Sequence, residues 1–225
     1  MKNLRAVAVS VVVTCMCVGG GLGQISVPKT AVAVVPWAPV SLFGFPDGAF
    51  PKATGTKVMM VSLSVEGMPI ILEETMIVDV QKRFGAEFGH SGDAGDSLGW
   101  FCLEGNDPGG NWVFWLISGE IDGPTIGSFQ WKRISADAVV DPRCHQVGDV
   151  GVAIRPPWQL QLGDSEIQVG KILGKPALVQ GGTRFFVHDH KEMIRNEEID
   201  VSSSVAVRIG KGQVEEIEVI KTSTN

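Results

Sequence analysis

His188-Asp189-His190 sets two imidazoles two residues apart, so on a strand both project from one side, a spacing that can begin a metal site. A third ligand would have to come from His90, His145 or a distant carboxylate, so no metal or cofactor is expected and the pair reads as solvated histidines at a strand end. Gly89-His90-Ser91-Gly92-Asp93 approximates the Gly-x-Ser-x-Gly turn that exposes a nucleophilic serine between a strand and a helix. Asp93 stands where the last glycine belongs, and the segment follows a helical pattern and precedes a strand. No nucleophile, base and orienting group fall into a recognisable arrangement, and the chain reads as a non-enzyme with no catalytic residue. Gly92-Asp93-Ala94-Gly95-Asp96 and Gly105-Asn106-Asp107-Pro108-Gly109-Gly110-Asn111 are rich in oxygen ligands but lack the spacing of a calcium loop, so both read as turns.

The aromatic residues are the candidate binding set. Trp100, Trp112, Trp115 and Trp131, with Phe101, Phe114 and Phe129, fall on three neighbouring predicted strands. Alternation puts Trp112 and Phe114 on one face and Val113, Trp115 and Ile117 on the other. Two apolar faces are more than one helix covers, which leaves two readings. The aromatics form a core over which a proline-rich arm packs, or the four tryptophans form an exposed platform for a protein partner or a sugar ring.

These residues need a compartment and a frame. Lys2 and Arg5 precede an apolar run over residues 6–18, and Gly21-Leu22-Gly23 offers a small-x-small cleavage site, so residues 1–23 read as an export signal. Thr14 and Met16 precede Cys15 and Cys17 where a lipidation signal wants a small residue, so a lipid anchor is disfavoured and the product is expected to be secreted or periplasmic. With the signal gone, Cys102 and Cys144 are the thiols left in an oxidising compartment and are expected to pair. The formal charge of −6 becomes two units more negative without Lys2 and Arg5, which argues against nucleic acid as a partner. No later segment is apolar for the roughly 20 residues that a membrane-spanning helix needs, so no transmembrane segment is expected in the mature chain.

Residues 24–56 read as an extended Pro/Gly-rich arm carrying Trp37, Phe43, Phe45 and Phe50. A first unit over residues 57–134 comprises a strand at 57–65, a helix at 73–84 stopped by Gly85, a Gly-rich loop at 86–96, and strands at 97–104, 112–118 and 126–134. A connector over 135–157 carries Cys144. A second unit over 158–225 begins with Asp164 and Ser165 capping a helix to Leu173, with Gly174 and Pro176 stopping it. Strands at 184–188, 201–209 and 213–220 follow, the last two joined through Gly210-Lys211-Gly212. The fold class expected is α+β, β-rich overall: two tandem repeats, each a helix packed on an antiparallel sheet of three to four strands.

The segment from Leu162-Gly-Asp-Ser through Leu173-Gly-Lys-Pro176, with Ile209-Gly-Lys-Gly-Gln-Val214 beyond it, resembles the repeat of β-lactamase inhibitor proteins and of outer-membrane-assembly lipoproteins of the SmpA/OmlA type. The resemblance covers residues 161–221 best and extends to 73–134 only by pattern. It implies a non-catalytic protein-binding module with an extracytoplasmic protein as partner. It carries over no family binding residue, and Cys102 and Cys144 do not sit one pair per repeat as in the inhibitors. A carbohydrate or cell-wall binding module that uses the Trp-rich sheet is the alternative.

Overall fold

Near-continuous apolar runs in the central strands, such as Trp112 to Ile117, let a sheet bury both faces, and this is what forms. The structure, a computed structural model, describes residues 32–44, 50–55, 62–93, 97–119, 123–147, 159–194 and 197–224. The export signal expected at residues 1–23, with Cys15 and Cys17, lies outside the described residues. Val32–Asn225 make one unit. Among the described residues no helix is long and apolar enough to cross a membrane.

In chain order the elements are β1 (Val34–Val35), β2 (Ser62–Val65), β3 (Met68–Ile71), α1 (Ile77–Phe84), β4 (Phe88–Ser91), β5 (Leu98–Asp107), β6 (Gly110–Gly119) and β7 (Ser128–Arg133). There follow β8 (Val139–Val140), β9 (His145–Gln146), α2 (Glu166–Leu173), β10 (Leu178–Gln180), β11 (Thr183–Ile194), β12 (Glu197–Gly210) and β13 (Gln213–Thr224). The main sheet runs β10-β11-β12-β13-β7-β6-β5-β4, with β9 paired in parallel to β5.

This corrects the expectation of two tandem helix-plus-sheet repeats. β7 and β13 pair antiparallel from Ser128↔Ile220 to Lys132↔Glu216, so all the long strands belong to one nine-stranded sheet. The helices do not own separate cores either, since Val80 and Phe84 of α1 and Val169 and Leu173 of α2 enter one cluster with Phe114, Phe129, Trp131, Val205 and Ile217. The chain is β-rich with two short helices among the described residues.

Locally the sequence explains most of these elements. Ser165 caps α2 by accepting a hydrogen bond from the Gln168 N–H at 3.2 Å, and Gly85 ends α1 at φ 62°, a left-handed value that glycine adopts without cost. Helix α1 starts four residues later than expected because Glu73 turns away. It sits at φ 67°, and its carboxylate accepts from the N–H and hydroxyl of Ser223 at 2.7 and 2.6 Å while pairing with Lys221 at 3.2 Å. The two helices and the β2–β3 hairpin cover one sheet face. The opposite face is covered by the arm (residues 32–44 and 50–55) and the connector, where β1 pairs in parallel with β8.

Candidate functional site

The four candidate tryptophans are inside the protein. Trp112 and Trp131 are 3% and 1% exposed on the helix-covered face, and Trp100 and Trp115 are 4% and 2% exposed on the other. The exposed-platform reading is therefore corrected: Trp37 of the arm meets Trp100 edge-on at 5.3 Å, and the Trp115 indole N–H donates to the Trp37 carbonyl at 2.8 Å. Arg143 lies 3.9 Å above the Trp37 ring, its guanidinium held by Asp141 at 2.9 and 2.8 Å. Hydrogen bonds from Arg143 hold the Asp141 carboxyl down at about 2. The Cys102–Cys144 disulfide ties β5 to the connector beneath this cluster, as the cysteine count predicts, with the Cα atoms 4.5 Å apart.

The arm continues across the seam of the sheet on buried polar side chains. The Gln130 amide donates to the Val40 carbonyl and to Glu216, each at 2.7 Å. Glu218 accepts from the Ser41 hydroxyl at 2.8 Å and from the Leu42 N–H. Burial is the main force raising the Glu218 carboxyl to about 7, and these two hydrogen bonds oppose it. Burial also raises Glu216, against Arg208 at 3.1 Å and Lys132 at 4.0 Å. Phe43 then packs on Phe185, and farther on the Thr54 N–H donates to the Val187 carbonyl and the Gly55 carbonyl accepts from the Asp189 N–H, which docks the arm beside β11.

The long strands run on past this cover, and their exposed part forms the candidate site. Three cross-strand rows on the arm face follow in register: Val187–Ser204–Ile220, Asp189–Ser202–Thr222, and Lys191–Asp200–Thr224. The first two rows floor a cleft of about 470 Å³ roofed by Phe50, Pro51, Lys52 and Ala53. The second and third floor an adjoining cleft of about 720 Å³, and the two share Asp189, Ser202 and Thr222. The result is one groove that runs in under the arm, lined by hydroxyls, two carboxylates and two lysines together with His190 and apolar residues. Sequence reasoning missed it. The available signal was the two hydroxyl runs Ser202-Ser203-Ser204 and Thr222-Ser223-Thr224, which stand where strand packing would otherwise favour apolar residues.

The histidines do something other than expected. His188 is buried rather than solvated, because Gly55 lies so close over its ring that a Cβ there would come within 2.7 Å of Nδ1. His190 Nε2 lies 2.7 Å from a Glu192 carboxylate oxygen. Among the described residues no group of three His, Cys, Asp or Glu is placed to hold a metal ion. Ser91 lies within β4 rather than at a strand-to-helix turn, so the serine motif has no elbow.

No protein-family model matches this chain, and no curated protein or solved structure is found similar to it. The likeness to inhibitor-type repeats rests on sequence motifs alone.

Proposed function

We propose that the protein is an exported, non-catalytic binding module whose ligand lies in the groove across β11, β12 and β13. The observation that carries this reading is the groove itself: one row with a serine between two apolar residues and two rows of polar side chains, in register, line clefts on a face that is otherwise covered. Specific binding sites are concave and carry a few fixed polar groups, and both clefts fall within the usual volume range of roughly 300–1,000 Å³. Three strands at the usual spacing span about 10 Å, so the occupant is a single chain or loop rather than the flat face of a globular partner. Export is supported by the disulfide, which suits an oxidising compartment, and by the basic-then-apolar start of the sequence. The acidic balance of the chain disfavours nucleic acid.

The test is capture from extracellular and envelope fractions with two folded baits, the wild-type protein and Thr222→Trp, which fills the middle of the groove. A component retained by the first and lost by the second supports the reading. Equal retention moves binding to another surface, and no retention by either bait overturns the binding module.

A further inference from the structure

We infer that the arm end of this groove, lined by Phe50 and Ser204, takes the end of a neutral carbohydrate chain. The inference rests on the groove being a binding site. It starts from Ser204, a residue 7% exposed that lines the cleft. Its hydroxyl both donates and accepts, and a ligand hydroxyl at this position would meet it. Its neighbours share its chemistry. Ser202 and Thr222 each present a group that both donates and accepts, and Asp189 adds a carboxylate that only accepts. Sheet ladders engage the backbone of β12, and the arm engages Val187 and Asp189 at the outer side of β11, so side chains face the ligand across the floor. That set suits a ligand whose own rim is hydroxyls.

The rest of the cleft is apolar. Val187 and Ile220 form part of the floor, and Phe50, 54% exposed, stacks on Phe43 with centroids 5.6 Å apart and planes 16° from parallel. A flat aromatic wall beside a hydroxyl floor fits a pyranose, which has a C–H face and a hydroxyl rim. Charge selects further. Lys52 and Asp189 are the charged residues of the lining, one of each sign, so the cleft carries no net charge to attract an anionic or cationic ligand. The volume of about 470 Å³ accommodates one or two sugar rings.

The experiment is ligand-observed NMR on the full protein with neutral di- and trisaccharides ending in glucose, galactose, mannose or N-acetylglucosamine, alongside uronic-acid oligosaccharides and unstructured peptides. The expected result is saturable binding of at least one neutral sugar, weakened about tenfold or more by Phe50→Ala and by Ser204→Val, each a loss of roughly one good contact. Ser202→Trp, which fills the cleft without touching the core, abolishes it. Circular dichroism and an intact disulfide establish that each variant is folded. Neutral-sugar binding that survives Phe50→Ala and Ser202→Trp unchanged overturns the assignment of the pocket. Peptides or acidic sugars bound in place of neutral ones, and lost in Ser202→Trp, overturn the ligand class and leave the binding module standing. No probe sensitive to Ser202→Trp overturns the inference, and it overturns the binding module too only if the capture experiment also fails.

Discussion

Glu218 shows how one side chain couples solution chemistry to architecture. It sits beneath the arm, accepts hydrogen bonds from Ser41 and Leu42, and is held near 7 by burial against an ordinary value of 4.5. Folding therefore favours its protonated form. That stabilisation is complete below about pH 4.5 and is lost as pH rises through 7, a difference on the order of 3 kcal/mol for a shift of this size. Glu216 is shifted in the same direction, also by burial, and adds to the slope. Thermal unfolding is expected to occur at a lower temperature at pH 8 than at pH 5, by several degrees, and Glu218→Gln is expected to remove most of that difference. Identical slopes in the two proteins would show that another group titrates. The buried acids were not legible in the sequence, because Glu216 and Glu218 alternate with Ile217 and Val219, which is the pattern of a strand with one solvent face. The arm residues that bond Glu218 are 176 and 177 residues away, and alternation does not announce which face acquires a second cover.

At the scale of elements, the strands fold where their aromatics are and bend where their glycines give room. Gly105 pairs with Trp112 across β5 and β6, and the indole ring lies directly over it, where a Cβ would collide with the ring. Gly89 stands in the same relation to Trp100 across β4 and β5. Gly105→Ala is expected to cost about 1–3 kcal/mol through overpacking, read as a lower denaturant midpoint with an unchanged slope. A cost near zero would mean that Trp112 swings aside freely. These glycines explain which elements the sequence disclosed. β5, β6, β7, β12, β13 and the Ser165-capped α2 were legible from alternation, apolar periodicity and capping, though β11 and β12 extend farther than their apolar stretches. β4 was hidden inside a stretch read as a Gly-rich loop, because a glycine that seats a ring looks the same in sequence as a glycine that turns the chain.

For the whole molecule, the arm belongs to the core. Removing residues 32–44 would uncover Trp100, Trp115 and Phe185 and leave Glu218 without its partners. Such a variant is expected to aggregate or to bind a hydrophobic dye strongly, tested by size-exclusion chromatography and dye fluorescence, whereas a dispensable linker would leave a monomer with an unchanged melting temperature. The division into two units also failed at this scale. Periodicity tells which face of a strand is apolar but not which strand lies beside it, and the pairing of β7 with β13 is a long-range contact with no local signature. That seam has a consequence for how the chain is made. β13 lies between β12 and β7, so a ribosome that has not yet reached residue 220 holds two unjoined fragments of sheet whose shared core is still open. Closure of the sheet therefore waits on synthesis of β13, which makes completion of the shared core a late event.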